Sequence, residues 1–179
     1  MIISVLLINH TLSGQTYTID IDRSSISWTG YGELGSFEQN GTIKFKEGSI
    51  EMTDGQLEHA QIVVDMKSIE HEDAQLKRHL KNKDFFHVQK YPEARLELER
   101  IENDEVSGLL FIRGKEGSVV FPISFQEDDN ALVIKGKMTV DRTKFDIKYN
   151  SSSFFQDLGN YAIKNEFDLE FEMVCTKVK

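Results

Sequence analysis

Alternation of apolar and charged residues is the feature that most restricts how this chain can fold. In the clearest example, residues 166–173, Asp and Glu alternate with the apolar side chains of Phe167, Leu169, Phe171 and Met173, and Cys175 continues the apolar face. Successive side chains of a β-strand point to opposite faces, so this pattern predicts a strand with one buried face and one face in water. A helix would need its apolar residues three or four positions apart.

The same alternation recurs along most of the chain and predicts an all-β fold. Further runs of it begin near Tyr17, Ile26, Ala60, Ala94, Val106, Val119 and Leu132. Glu47-Gly48 and Asp54-Gly55 separate other short runs, and Gly in such a dipeptide predicts a turn between two strands. Pro122 confines its strand to an edge or a bulge, because proline has no amide hydrogen to donate.

The polarity of the two strand faces predicts an antiparallel β-barrel whose charged face lies in water. A membrane barrel would reverse that polarity. The inner face is apolar nearly everywhere, so the interior is either a packed core or an apolar cavity. About eight strands in one meander suit a closed barrel that holds one small ligand. A two-sheet sandwich would also satisfy the pattern.

One segment breaks the strand pattern and predicts a short helix that caps one end of the barrel. Ser68 is a candidate N-cap, and the acidic residues that follow it and the basic residues further on suit the helix dipole. Leu76 and Leu80 lie one turn apart on the same side of this helix. The adjacent Phe85 and Phe86 predict an apolar plug over the barrel end, with a ligand gate as the alternative.

Net charge and cysteine content argue against several classes of protein. The chain has 179 residues and a net charge of −9. Nucleic acids and anionic membrane surfaces both require a basic face, so the charge argues against either partner. The single cysteine, Cys175, permits no internal disulfide and no zinc site built from cysteines. It falls on the inner face of its strand, where a buried, unreactive thiol is expected.

Three histidines suggest a metal site, but their spacing argues against one. His71, His79 and His87 recur every eighth residue. Eight helical residues advance ~12 Å, which is too far for two ligands of one ion. No nucleophile has a recognisable base and orienting acid near it in the sequence. We therefore predict that the protein is not an enzyme and has neither a metal nor a cofactor.

The first residues resemble the end of a secretory signal. Residues 2–8 are apolar, and Ser13-Gly14 are small. A basic n-region is missing, so a first strand or a misassigned start is the alternative. The apolar run is too short to span a bilayer, and we expect no integral membrane insertion. The predicted division is a signal remnant at 1–14 and a single domain at 15–179, either exported to the periplasm or cytoplasmic.

Several motifs, in a specific order, resemble the YceI-like domain family. They are Tyr-Thr-Ile-Asp at 17–20, Trp-Thr-Gly at 28–30, Leu-Lys-x-x-Asp-Phe-Phe at 80–86, Tyr-Pro at 91–92 and Asp-Arg-Thr-Lys-Phe at 141–145. The resemblance implies an elongated lipocalin-like barrel with a helix over one end. It also implies a long isoprenoid or fatty chain in the lumen and, as for many members, export to the bacterial periplasm. The family has no invariant catalytic set, and Ser24-Ser25 in place of its common His-Ser suggests a divergent branch.

Together, these observations predict a non-enzymatic carrier for a long apolar lipid: an isoprenoid, an isoprenoid quinone or a fatty chain. Each buried CH₂ contributes ~0.8 kcal/mol, so a long chain can bind tightly without polar contacts. The alternative is a structural or stress-response module whose own aromatics, including twelve Phe, fill the lumen. The sequence is compatible with a monomer or a homodimer.

The residues predicted to line the lumen or form the lid are the large apolar ones at inward positions and in the helical segment. They are Trp28, Phe45, Ile62, Val64, Leu76, Leu80, Phe85, Phe86, Leu96, Leu98, Phe121, Met138, Phe167 and Phe171. One polar contact is also predicted. Asp84 and Arg142 each carry a charge within one of the motifs above, and we expect them to form an ion pair.

Overall fold

The computed structural model describes residues 14–35, 37–102, 105–127 and 131–178. The predicted signal remnant therefore lies outside the described residues, apart from Gly14. The strands are β1 (Gly14–Ile19), β2 (Ser25–Gly32), β3 (Glu38–Thr53), β4 (Gln56–Glu70), β5 (Glu93–Glu102), β6 (Glu105–Ile112), β7 (Lys115–Glu127), β8 (Ala131–Asp141) and β9 (Ile163–Lys177). One α-helix, α1 (Ala74–Lys81), and two 3₁₀ helices, Arg142–Phe145 and Gly159–Tyr161, complete the described elements.

The strands form one closed antiparallel barrel, which confirms the predicted fold class and excludes the sandwich. Their order is β1-β3-β2-β9-β8-β7-β6-β5-β4, and pairing of β3 with β4 closes the wall. β1 and β2 share one of eight positions in that wall. β2 pairs with the first part of β3, where Ile26 faces Ile43, and β1 pairs with the last part, where Tyr17 faces Ile50. Both also pair with β9.

The two predicted glycine turns have different structures. Asp54-Gly55 joins β3 to β4 as a hairpin, with positive φ angles of 51° and 78°, as a type I′ turn requires. Glu47-Gly48 instead lies inside β3, where the register against β4 shifts, so the prediction of a turn there is wrong. A Cβ on Gly48 would lie 2.4 Å from Cδ1 of Ile19. Close packing therefore accounts for this glycine.

Pro122 lies where β7 changes partners. β7 pairs with β6 as far as Pro122, which faces Glu105, and its pairing with β8 begins at Ile123. On the β8 side the proline thus occupies a strand edge, where an amide hydrogen is not needed. β7 as a whole is nevertheless an interior strand, paired with both β6 and β8. The prediction that Pro122 confines its strand to an edge or a bulge is therefore wrong for the strand, although the pairing with β8 begins only after this residue.

The helix begins later than predicted. Ser68 belongs to β4, where its Oγ donates to the carbonyl oxygen of Asp65 at 2.6 Å and accepts from the amide of Lys44 at 2.8 Å. Asp73 is the actual N-cap, and its carboxylate accepts from two amides in the first turn of α1. Ile69, which follows Ser68, is buried in the core. Burial of that apolar side chain favours continuation of the strand over an earlier helix start.

The connections β2–β3, β4–β5, β6–β7 and β8–β9 all lie at one end of the barrel, which we call the lid end. They comprise residues 33–37, 71–92, 113–114 and 142–162. α1 and both 3₁₀ helices belong to them, so the helix does cap one end as predicted. Within the described ranges, no helix is both long and apolar enough to cross a bilayer.

Candidate functional site

A cavity of about 160 Å³ runs along the inside of the barrel. Its wall extends from Met52, Leu57 and Leu132, near the end opposite the lid, to Phe85 and Phe86 at the lid end. The wall is almost wholly apolar. Such a surface accommodates hydrocarbon and offers few groups to orient a polar substrate.

Most of the predicted lumen and lid residues lie on this wall. They are Trp28, Phe45, Ile62, Val64, Leu80, Phe85, Phe86, Leu96, Leu98, Met138, Phe167 and Phe171. Two predicted residues pack in the core without lining the cavity. Phe121 is buried, with its ring centre 6.0 Å from that of Phe171, and Leu76 is partly buried against the core.

The prediction omitted many residues that also line the cavity. The aliphatic ones include Ile26, Ile43, Ile50, Met52, Leu57, Met66, Ile69, Leu110, Ile112, Leu132, Ile134 and Met173. Most of them occupy inward positions of the same alternating pattern, so the signal that identifies them was present in the sequence. The charged residues that line the cavity are Arg95, Arg142, Lys164 and Glu166, and the alternating pattern does not identify them as lining residues.

Methionine is unusually concentrated on the wall. Met52, Met66, Met138 and Met173 all line the cavity, and the chain has five methionines in total. The methionine side chain is unbranched and flexible, so it adapts to irregular or changing spaces better than Leu or Ile does. This composition allows the cavity to change shape at a lower cost than a wall of branched side chains would.

The turn after α1 carries the two phenylalanines that close the lid end. The chain folds back on the helix, so that the amides of Phe86 and Val88 donate to the carbonyls of Leu80 and Lys81, each at 3.1 Å. These bonds satisfy carbonyl groups that a helix C-terminus otherwise leaves without partners. The Phe85 and Phe86 ring centres are 5.1 Å apart at an interplanar angle of 65°, a favourable edge-to-face arrangement.

Arg142 lies at the same end of the cavity and is not paired with Asp84, so the predicted ion pair is wrong. Its side chain is only 2% exposed, and its Nε, Nη1 and Nη2 atoms donate to three main-chain carbonyls. The acceptors are Lys164, Ile147 and Ile163, at 3.0, 2.9 and 3.0 Å. Asp84 is exposed on the lid. Burying its carboxylate as well would add a desolvation cost that the carbonyl acceptors avoid. Burial lowers the pKa of Arg142, since desolvation disfavours the charged form.

Two buried ring nitrogens have no hydrogen-bond partner among the described residues: Nε1 of Trp28 and Nε2 of His79. The Trp28 ring stacks on His71, with centres 5.7 Å apart, and the backbone of Gly41 also lies close to it. A Cβ on Gly41 would lie 2.6 Å from the indole. Trp28 is therefore closely packed on the side of Gly41, where a side chain larger than hydrogen would not fit without a shift.

The other side chains that could take part in chemistry are buried or packed against neighbouring residues. Cys175 is fully buried, which confirms the expected buried thiol, and burial raises its pKa to about 12. The thiol is therefore protonated at neutral pH, while the thiolate is the nucleophilic form. Ser151 is also buried, and its Oγ donates to Oδ1 of Asn165 at 2.6 Å. His79 and His87 pack against Tyr149 and Tyr91. In the described part of the chain, no three His, Cys, Asp or Glu residues are grouped so as to hold a metal ion.

Comparison with known proteins places this arrangement among similar barrels. The model of the YceI-like domain matches residues 17–175. BcnA of Burkholderia cenocepacia has a similar structure, with a TM-score of 0.72 and 20% identity over 87% of this chain and 98% of BcnA. A polyisoprenoid binding domain of Saccharophagus degradans, implicated in plant cell wall breakdown, gives a TM-score of 0.67 and 12% identity over 89% of this chain and 97% of that domain. The Campylobacter jejuni YCEI protein gives a TM-score of 0.55 and 15% identity over 100% of this chain and 92% of that protein. At these identities the structural likeness shows the fold alone, and no curated protein matches the sequence significantly.

Proposed function

The chain belongs to the YceI-like domain family, and we propose that it is a carrier that holds one long apolar lipid in its barrel without chemistry of its own. The candidate ligands are an isoprenoid, an isoprenoid quinone or a fatty chain. Family membership and the similarity to a polyisoprenoid binding domain support a lipid-binding barrel. The choice among these lipids and the carrier role are the parts that we propose.

The observation that carries the proposal is the apolar cavity whose wall reaches from the end opposite the lid to the Phe85-Phe86 plug. The apolar wall suits a ligand recognised by its hydrocarbon rather than by polar groups. The plug is built from a short turn, which could move aside for entry without unfolding the wall.

The cavity volume sets a condition on this proposal. Its 160 Å³ is close to the volume of an engineered cavity that binds benzene, about 150 Å³. A long chain therefore requires side chains of the wall to reorient. About ten CH₂ groups moved out of water would contribute roughly 8 kcal/mol, whereas ordering a flexible side chain costs ~0.5–1.5 kcal/mol. The four methionines on the wall are the residues best suited to this adjustment.

The same small volume favours the alternative, a structural or stress-response module with a self-filled core. The two functions predict different uptake of an added lipid probe by the delipidated protein. A carrier takes up a fluorescent fatty-acid or isoprenoid probe at one molecule per barrel, and a self-filled module takes up none. Trp28 is the only tryptophan and lies on the cavity wall, so its fluorescence should report the uptake.

A pair of alanine variants sharpens this test. Ala94 lies on the cavity wall, whereas Ala74 is exposed at the start of α1. Ala94→Leu fills part of the lumen and should weaken probe binding at least several-fold, while Ala74→Leu should leave it unchanged. Equal binding by the two variants would contradict a lumenal site.

We extend the proposal to export into the periplasm, on the basis of the apolar residues 2–8 and the small residues that follow them. An exported protein should be recovered outside the cytoplasm with a mature N-terminus near Gln15. Recovery from the cytoplasm with Met1 intact would reject export and leave the lipid-binding proposal unaffected.

A further inference from the structure

The exposed large apolar side chains of the described residues are concentrated at the lid end. Five of them form what we call the lid patch: Leu34, Tyr149, Phe154, Phe155 and Tyr161. Leu34 and Tyr161 are 73% and 78% exposed, and Phe154 and Phe155 are 49% and 50% exposed. Scattered exposed apolar residues are normal, but a cluster on one surface indicates a contact with another apolar phase or molecule.

Hydrogen bonds hold the loop that carries the two phenylalanines in place. Ser151, at the base of this loop, is fully buried and bonded to Asn165, whose Nδ2 donates to Ser153 Oγ at 2.8 Å. Ser152 Oγ donates to the Glu33 carboxylate at 3.0 Å, which joins this loop to the turn that carries Leu34. The exposure of the rings is therefore a property of an ordered surface.

The lid patch adjoins the plug of the cavity. The Tyr149 ring centre lies 4.3 Å from that of His79 on α1, and the His79 ring centre lies 5.9 Å from that of Phe85. Just after Tyr161, Ile163 and Lys164 line the cavity. A surface that bound at the lid patch would thus lie next to the point where an apolar chain enters.

The connections at the lid end differ in the sign of their charge from the whole chain. They contain nine Lys and Arg residues and six Asp and Glu residues, and without the buried Arg142 their net charge is +2, whereas the whole chain has −9. The Nζ of Lys148 lies 5.0 Å from the centre of the Phe154 ring. Aromatic rings beside Lys side chains are the composition of surfaces that sit at the interface of a bilayer with water.

Distance reconciles this local charge with the acidic character of the chain. The Debye length at physiological ionic strength is ≈ 8 Å, whereas the 16 residues of β3 extend for roughly 50 Å. Carboxylates far down the barrel are therefore screened from a membrane that meets the lid end. The argument from the sequence against binding to an anionic membrane used the net charge of the whole chain, and it does not apply to the lid end alone.

We propose that the lid patch docks on a bilayer that contains anionic lipid, so that an apolar chain passes between membrane and cavity without crossing water. The part of this inference that concerns the ligand, namely that an apolar lipid chain passes between membrane and cavity, rests on the proposed function. The docking itself depends only on the lid patch and on the charge around it. The bilayer is the occupant that matches the cavity's apolar ligand, the aromatic rings and the local positive charge together.

The test is flotation of the full-length protein with vesicles of phosphatidylcholine alone or with added phosphatidylglycerol. We expect binding to be stronger with the anionic lipid and to weaken as salt is raised. The Phe154→Ser/Phe155→Ser double variant should bind vesicles at least about tenfold more weakly than the wild type, since two half-exposed rings lose their contact with lipid. The matched control is Ile21→Ser/Val120→Ser, which removes two apolar residues that are 49% and 64% exposed outside the lid end. It should bind as the wild type does.

Uptake of a fluorescent fatty acid added from free solution, measured on the same variants, separates this inference from the proposed function. Lost flotation with intact uptake by the Phe154/Phe155 variant supports docking through the lid patch. Equal flotation of the two double variants, or no flotation of the wild type, rejects the docking. A concentration-dependent dimer that the Phe154/Phe155 changes abolish would assign the patch to a second copy of the chain instead. Flotation without any fatty-acid uptake would reject the carrier function and leave the docking in place.

Discussion

The guanidinium carbon of Arg142 lies 5.7 Å from the centre of the Phe85 ring, where the plug meets the β8–β9 connection. A cation near the face of an aromatic ring contributes about 0.5–2 kcal/mol, more when the pair is shielded from water. Both residues are buried. The contact therefore links the plug to a charged group that the backbone of another connection holds in place.

Replacement of Arg142 by Met should destabilise the protein by about 3 kcal/mol or more. The change leaves the carbonyls of Ile147, Ile163 and Lys164 without their guanidinium donors, and each unsatisfied buried group costs ≈ 1–3 kcal/mol. Urea unfolding measures the loss. Lys144→Met, at an exposed position of the same 3₁₀ helix, is the control and should change the free energy of unfolding by less than about 0.5 kcal/mol. A similar value for both variants would show that these three bonds contribute little.

Replacement of Phe85 by Ala should have two separable effects. Loss of this buried ring should reduce the free energy of unfolding by up to ~3–5 kcal/mol. It should also speed release of a bound fluorescent lipid, because the group that keeps water from the cavity is gone. Phe86→Ala, at a less buried position, should show a smaller stability loss with a similar effect on release. Phe154→Ala removes an exposed ring and is the control; in solution it should change neither the free energy of unfolding nor the rate of lipid release. An unchanged release rate for both plug variants would contradict the gating role.

Replacement of Gly41 by Ala should be destabilising, while the same change at Gly30 should be nearly neutral. A Cβ at position 41 would lie 2.1 Å from the Glu70 carbonyl oxygen and 2.6 Å from the Trp28 ring, whereas a Cβ at position 30 has no atom within 4 Å. Overpacking of this kind typically costs 1–3 kcal/mol. Thermal unfolding gives the stability, and a changed emission spectrum of Trp28 should accompany only the Gly41 variant. Equal melting temperatures would show that the backbone relaxes without strain.

The Cys175 thiol should make stability fall at high pH. Burial raises its pKa from the ordinary 9.0 to about 12, so above pH 9 the unfolded state loses this proton before the folded state does. The stabilisation is complete below pH 9 and is lost as pH rises toward 12, with a slope of up to about 1.4 kcal/mol per pH unit. Urea unfolding between pH 8 and about 10.5 should therefore give a steeper decline for the wild type than for Cys175→Ala. Parallel curves, or rapid labelling of the native thiol by a disulfide reagent at pH 8, would contradict the burial.

The sequence predicts the barrel well because its main signal is local. Strand alternation is read directly from neighbouring residues, and the Asp54-Gly55 hairpin depends on two adjacent φ angles. The same alternation identifies most of the cavity wall, from Trp28 to Phe171. Burial on one face of a strand requires no knowledge of which strand lies opposite.

The errors come from contacts between residues far apart in sequence. Gly48 suggested a turn, but it is explained by Ile19 on another strand. Ser68 had the chemistry of an N-cap, but burial of Ile69 keeps the segment in β4. Arg142 suggested an ion pair, but it binds carbonyls of the chain before and within β9. The lid patch was not predicted either, because its members gather only when Leu34 and the β8–β9 connection meet.

Native mass spectrometry of the purified protein, followed by solvent extraction and analysis of the extract, tests lipid carriage most directly. We expect a folded species carrying a single long-chain lipid, and an extract that contains an isoprenoid, an isoprenoid quinone or a fatty chain. The delipidated protein should regain the added mass when it is supplied with the extracted lipid. A protein of unmodified mass, with no lipid in the extract and no uptake of an isoprenoid or fatty-acid probe, would contradict the carrier function and identify the barrel as a self-filled module.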